Sequence, residues 1–509
     1  MKAMNRFLTL LAALALLLGC AAAEAPAEPA SDPAADTAAA APAADGDFVV
    51  RQHSAVVQGK TLNYTTTTGL MTVETAGGAC EIFFMAYTLD GVEDLASRPV
   101  TFAFNGGPGS SSQYVQMGFL APRRIAFDES GQVSSFPTAI TDNDYSILDL
   151  TDLVFIDPVG TGYSRPAEGA DLSEFVGYDN DLRSVGDFIR LYTSRFGRWG
   201  SPKYLAGESY GTTRAVGLAE YLANTHSMDL NGIILISCIN NFTVIMDTDT
   251  PSDLSFALFL PTYAADAWYH KKLSPEYQQM PLEDLLKEVR AFAGGDYLSA
   301  LFKGTKLEDT EKQDIAGRMA AYTGLDTETI LSSNLRVKYD VFCKTLLKDE
   351  KLVIGRIDGR YTGPLTSGDM GSGAADPSSA AMGGIYGAAV SRYISEELGY
   401  QTDRPYVNSS DEVNGLWTFP QNFGQGFTQE NTVYGIMSRN RFLKVWVVCG
   451  YYDMATPFFS AEWSYNHVFL NKDYEQNLQF TYYESGHMIY MNEPSLAQFR
   501  KDAEEWYSR

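Results

Sequence analysis

Gly207-Glu208-Ser209-Tyr210-Gly211 is a G-x-S-x-G run that directly follows the apolar residues 204–206 and precedes a helical pattern. That strand-to-helix setting is what a nucleophile elbow requires, so Ser209 is the candidate nucleophile for acyl transfer. A serine hydroxyl attacks a carbonyl only when a base takes its proton, and five histidines are available. His53 lies near the start of the folded part, His226 follows a helical stretch, and His270 and His467 sit in aromatic, helix-like surroundings. His487 differs, because Glu484-Ser485-Gly486-His487-Met488 lies between a strand-like run and a helical C-terminus, which places it on a loop at a strand end. The chain order serine, aspartate, histidine that accompanies such an elbow points to Asp453 as the third member. Asp453 follows an expected strand over 445–449 through Gly450-Tyr451-Tyr452 and precedes His487 by 34 residues.

Asn105-Gly106-Gly107-Pro108-Gly109-Ser110-Ser111-Ser112 follows an apolar run over 100–104 and has the position and glycine content of a loop that donates an oxyanion N–H. A phosphate-binding loop fails as a rival, since no G-K-[ST] ending follows. The Gly59-Lys60-Thr61 run elsewhere has Ser54 where the first glycine of that motif belongs.

These residues need elements that hold them. Short apolar runs over 100–104, 153–156, 204–206, 233–236 and 445–448 read as buried parallel strands, with a further strand over 478–483. Helical spacing recurs over 181–196 and is expected over 209–222. Strand, turn, helix and strand in this order predict an α/β fold, a mostly parallel central sheet with helices on both faces. From 242 to 440 the pattern changes to amphipathic stretches such as 282–292 and 309–322, alternating with a Gly/Ser/Ala-rich run over 366–387. The expected organisation is a core of 47–241 and 441–509 with 242–440 inserted as a largely helical cap. The glycines of the elbow are expected because side chains at 207 and 211 would collide with neighbouring strands.

Across 509 residues, 38 Lys+Arg against 63 Asp+Glu give a net charge of −25, which disfavours nucleic acid as a partner. Five cysteines without a C-x-x-C pair, and no H-E-x-x-H, favour neither a disulfide framework nor a metal, and no cofactor is expected. Lys2 and Arg6, an apolar run over 7–18, then Gly19-Cys20, form an export signal that resembles a bacterial lipobox with Cys20 as the lipid-bearing residue. Residues 21–46, nearly all Ala, Pro, acidic, Ser or Thr, predict a disordered tether. Lipidated Cys20 is then the sole expected membrane attachment of an exported envelope protein.

Taken together and in order, Asn105 to Ser112, Asp157-Pro158-Val159-Gly160-Thr161-Gly162-Tyr163-Ser164, Gly207 to Gly211, Asp453 and Gly486-His487-Met488 resemble the serine carboxypeptidase family over roughly 47–509. Ser110 and Ala103 stand where that family commonly has Cys and Trp. The resemblance implies an α/β-hydrolase fold and stepwise removal of residues from the free carboxyl end of peptides, at acid pH. It implies that Ser209 attacks, His487 serves as base then acid, Asp453 orients the imidazole, and the N–H groups of Gly107 and Tyr210 hold the oxyanion. It also implies that Asn105, Gly106 and Glu208 bind the substrate's terminal carboxylate. Two carboxylates can share a hydrogen bond only through a proton, which gives Glu208 a reason to favour acid. Esterase or acyltransferase chemistry on the same triad, and a non-catalytic peptide-binding lipoprotein, remain open, as does the oligomeric state, a homodimer included.

Overall fold

The computed structural model describes residues 48–509 apart from 129–130, 132–135, 247–251, 366–374 and 421–425. Cys20 and the expected leader and tether, residues 1–46, lie outside the described residues.

A 10-stranded sheet organises the fold. Its main path uses β1 (Val49–Val57), β2 (Lys60–Thr75), β3 (Gly78–Leu89), β4 (Val100–Phe104), β5 (Asp152–Ile156), β6 (Lys203–Glu208), β7 (Gly232–Ile236), β8 (Lys444–Gly450) and β9 (Leu478–Tyr483). The spatial order is β1-β2-β3-β5-β4-β6-β7-β8-β9, with the short Arg165–Pro166 strand pairing beside β3. From β5 to β9 every pairing is parallel. The antiparallel β1–β3 meander was not anticipated: β1 and β2 mix Thr and other polar residues with apolar ones, while the buried apolar run over 82–87 in β3 was a signal left unread.

Strands β4 to β7 are buried along their whole length, so both faces must be covered. Alternation divides the side chains accordingly. Ile233, Leu235, Val445 and Val447 enter one buried cluster, which the helices α1 (Tyr178–Arg195) and α2 (Tyr210–His226) complete with Val185, Phe188, Val216 and Leu218. Ile234, Ile236, Trp446 and Val448 enter the other, which the C-terminal helix Glu493–Ser508 covers with Leu496, Phe499 and Trp506. Trp446 stacks on Phe499 at 5.0 Å between ring centres. At about 25 cal/mol per Å² of apolar surface, this two-sided burial is the main stabilising term.

The segment between β7 and β8 carries α3 (Asp253–Tyr269) and further helices at Leu282–Phe292, Asp309–Thr323 and Glu430–Arg439. Their apolar faces join the cluster on the α1/α2 side. The Gly/Ser/Ala-rich run read over 366–387 departs from expectation, since Pro377–Arg392 is a helix, capped by the Asp376 side chain on Ser378 N. Burial of Met382, Tyr386 and Val390 holds the helix against its three interior glycines. The four described cysteines, Cys80, Cys238, Cys343 and Cys449, are buried thiols. Among the described residues no helix is long and apolar enough to cross a membrane. No group of three or more His, Cys, Asp or Glu among them could hold a metal ion.

Candidate active site

Four loops leave the carboxyl ends of neighbouring parallel strands β4, β6, β8 and β9, the place where an open α/β sheet presents ligand-binding groups. The β6 loop is a single residue. Ser209 has φ 60° and ψ −129°, and α2 begins at the next residue. A non-glycine residue in that region stores about 1–3 kcal/mol. The surroundings hold it there: Ser209 N donates to Ile236 O at 3.0 Å, and Ser209 O accepts from Thr212 N and Thr212 Oγ1 at 2.8 and 2.7 Å. A Cβ on Gly211 would stand 2.9 Å from Phe104 O at the end of β4, as expected of a glycine facing a neighbouring strand. Gly207 corrects that expectation, because a Cβ there would meet the turn's own Gly211 O at 2.0 Å.

His487 and Asp453 come together at the ends of β9 and β8. His487 Nδ1 lies 2.8 Å from Asp453 Oδ2. The Asp453 carboxylate also accepts from Ala455 N, Thr456 N and Thr456 Oγ1 at 2.8, 2.9 and 2.7 Å, so all its lone-pair directions toward the loop are used. Burial alone would raise the pKa of Asp453. The His487 charge and these hydrogen bonds outweigh burial and hold it below its ordinary value. Burial likewise pulls His487 down, while Asp453 and then Glu208 push it up, and the balance lies above the ordinary imidazole value. The other four histidines are occupied elsewhere: His53 with Thr66, His226 with Asp187, His270 with Gly359 O and His467 with Trp463 O.

Asn105 and Glu208 form the third feature. Asn105 Oδ1 accepts from Tyr114 N and Val115 N, both at 3.1 Å, which fixes the amide so that Nδ2 donates to Glu208 Oε1 at 2.8 Å. Glu208 Oε2 is buried and accepts no close hydrogen bond, with the Tyr490 hydroxyl the polar group that faces the carboxyl. Burial pushes the Glu208 carboxyl up to about 7, with His487 pulling against it and Asp453 adding to it. Gly106 lies against the elbow, where a Cβ would come within 2.4 Å of Tyr210 N. Tyr210 is the first residue of α2, so its N–H has no acceptor inside the helix.

The Glu208 environment carries a stability signature. Its folded pKa stands above the unfolded one, so between about pH 4.5 and 7 the native state holds more protons and stability falls as pH rises. The gap from 4.5 to about 7 corresponds to about 3 kcal/mol. Glu208→Gln is therefore expected to flatten the decline of the melting temperature across that window. A decline equal to that of the wild type, followed by calorimetry from pH 4 to 8, would contradict it.

All of these groups meet at one cavity of about 570 Å³. Asn105, Gly106, Gly107, Glu208, Ser209, Tyr210 and His487 line it, so seven of the eight sequence-predicted site residues in the described part share a wall. The eighth, Asp453, lies behind His487. Ile239, Phe242 and Ile245 beyond β7, with Met382 from the Pro377–Arg392 helix and Met488, add an apolar part of the lining, and Arg356, Ser379 and Thr456 add polar side chains. Sequence reasoning missed Thr456, which also lies 3.3 Å from His487 Nδ1 through its hydroxyl. It also missed Arg214, fully buried, which pairs with Asp181 at 2.7 Å and donates to Asn105 O at 2.6 Å. The i, i+5 spacing of Arg214 from Ser209 was the only available signal.

Among solved structures, a prohormone-processing carboxypeptidase from Saccharomyces cerevisiae, KEX1(Δ)p, superposes with a TM-score of 0.54 at 14% identity, covering 87% of this chain and 91% of that one. The architecture is that of the α/β hydrolases. Within that class the serine carboxypeptidase family matches residues 57–333, more than half of the chain, and the chain belongs to that family. Among curated relatives, the pheromone-processing carboxypeptidase KEX1 of Yarrowia lipolytica is 29% identical over 202 residues, 38% of this chain and 30% of that protein. Serine carboxypeptidase-like 33 of Arabidopsis thaliana is 32% identical over 136 residues, 26% of each. The matched regions thus span less than a third of the length of these relatives.

Proposed function

We propose that this chain is an exported serine carboxypeptidase that releases C-terminal residues from peptides through an acyl-enzyme. One observation carries the reading: a buried carboxyl whose second oxygen accepts no close hydrogen bond, that of Glu208, stands beside Asn105 on the wall that Ser209 and His487 share. A buried acid with its pKa near 7 is suited to share a proton with another carboxyl group and unsuited to most other ligands. Placed next to a nucleophile, it selects a chain end.

In this reading His487, its Nδ1–H directed to Asp453, takes the Ser209 proton as Ser209 Oγ attacks the last peptide carbonyl. The oxyanion is held by the N–H groups of Gly107 and Tyr210, donors typically worth about 10² to 10³ each in rate. His487 then protonates the leaving amino acid, whose carboxylate rests on Asn105, Gly106 and Glu208. Water, deprotonated by the same imidazole, hydrolyses the acyl-enzyme. Binding weakens once the proton shared with Glu208 is lost, so activity favours acid. Cys20, lipidated, would tether the enzyme to a membrane through residues 21–46.

The test incubates the chain lacking residues 1–46 with one peptide as free acid and as C-terminal amide at about pH 5 and 7.5, following fragment masses. Stepwise loss from the free acid alone supports the reading. Equal turnover of the amide or of a simple ester would replace it with esterase or acyl-transfer chemistry. Glu208→Gln is expected to move the optimum of kcat/KM to higher pH, and an unchanged profile would remove Glu208 from carboxylate binding.

A further inference from the structure

The loops bearing Asp453 and His487 are joined to each other and to a segment that belongs to neither strand. Tyr452 N donates to Ser485 O at 3.0 Å, linking the two loops directly. Residues 356–360, far away in the chain between β7 and β8, then bond to both. Met454 N donates to Arg356 O at 3.1 Å, Gly359 N to Tyr452 O at 3.0 Å, and His487 N to Ile357 O at 2.8 Å. The approach is as close as backbone allows. A Cβ on Gly486 would lie 2.4 Å from Asp358 Cβ, and one on Gly450 would lie 2.1 Å from Gly486 O.

The side chains of Asp358 and Arg360 complete this junction. Arg360 Nε and Nη2 donate to the two Asp358 oxygens at 2.9 and 2.6 Å, a bidentate pair with both partners nearly buried. What remains of the guanidinium reaches the histidine loop: Nη1 donates to Glu484 O at 3.2 Å and Nη2 to Ser485 Oγ at 3.0 Å. Asp358 Oδ2 in turn accepts from Gly486 N at 3.2 Å. Three residues in a row before the imidazole, and His487 N itself, are therefore held from this one segment. The segment is anchored on its far side, where Asp376 accepts from Arg356 N and Ile357 N at 3.2 and 3.3 Å.

We propose that Arg360, paired with Asp358, is a positioning residue that clamps the histidine loop and sets the distance from His487 to Ser209. The inference rests on the serine-hydrolase reading of the site. Without the clamp, His487 keeps its Asp453 bond and the bond its carbonyl accepts from Ser237 Oγ, but residues 484–486 lose every side-chain contact to the segment. A misplacement near 1 Å at a reacting group costs about 10² in rate. Arg360 does not line the Ser209 cavity, so its effect should fall on kcat and leave KM alone.

Ser209 reactivity is read by the rate of labelling with a fluorophosphonate. In that step the Ser209 oxygen bonds to phosphorus, fluoride leaves, and the serine proton passes to His487. Arg360→Met leaves the Asp358 charge buried without its cation, a change costly to folding, so the Asp358→Asn/Arg360→Met double variant, which removes both charges, is the main probe. It is expected to melt near the wild type, to label about 10²-fold more slowly, and to lower kcat on a free-acid peptide equally with KM within twofold. Arg360→Lys, which keeps one charged donor toward Asp358, should recover part of the rate, and Ser485→Ala should lose less than tenfold. Wild-type labelling rates in the folded double variant and in Ser485→Ala would overturn the clamp. Failure of the wild type to label at Ser209 would instead overturn the serine-hydrolase reading beneath it, a separate and distinguishable result.

Discussion

Asp453→Asn is expected to lower kcat about 10⁴-fold with the fold intact. The reason lies in the hydrogen bonds to the carboxylate. Ala455 N and Thr456 N both donate to Oδ1, so an asparagine must keep its carbonyl oxygen at that position. Its NH2 group then takes the place of Oδ2, facing Thr456 Oγ1 and His487 Nδ1. The hydroxyl can turn and accept. The imidazole can accept only by moving its proton to Nε2, the nitrogen that should take the proton of Ser209. The variant is thus a well-packed protein with the wrong tautomer. Kinetics on a free-acid peptide, paired with a melting curve, check this. A loss under tenfold would remove Asp453 from the mechanism.

Ser209→Ala is expected to have the largest effect, about 10⁶ in kcat, because a nucleophile and its base act as one unit and losing either removes covalent catalysis. Peptide affinity should change little, since Asn105, Gly106 and Glu208 remain. Tight binding of a free-acid peptide by a variant without turnover would separate recognition from chemistry. Residual activity above a few per cent of the wild type would mean that another group attacks the carbonyl.

Sequence reading succeeded where one residue type answers a local demand. The parallel strands were legible because strands buried on both faces are near-continuous apolar runs, and β4 begins and ends where that pattern does, whereas the edge strand β9 is half-buried and interrupts its apolar residues with Gln479 and Thr481. The elbow was legible because G-x-S-x-G after a strand is a compact signal: Gly211 clears the end of the neighbouring strand β4, and Gly207 clears the turn itself, a different neighbour from the one expected. His487 was singled out from its place after a strand, and the structure sets it beside Asp453 on the cavity that Ser209 lines. By contrast, β2 alternates between buried and half-exposed Thr-rich positions and gave no apolar run to follow, and the buried run over 82–87 in β3 was overlooked beside it. Thr456 acts through a hydroxyl three residues beyond Asp453, a position where nothing local distinguishes a bonded threonine from an idle one. The Asp358–Arg360 pair serves loops some hundred residues further along the chain, so no window around it reveals its partners.

The sheet order also governs when the chain becomes able to cut. Ser209 and Asn105 follow central strands whose partners all precede residue 242, whereas β8 and β9 add to one side only after residues 242–440 have been made. Joining them closes a long loop, the slow class of folding event. A nascent or truncated chain ending before β8 would hold Ser209 and the Asn105 loop, and lack both His487 and Asp453. In the proposed reading, the capacity to cut therefore arrives with the last strands in the order of synthesis, after most of the chain exists.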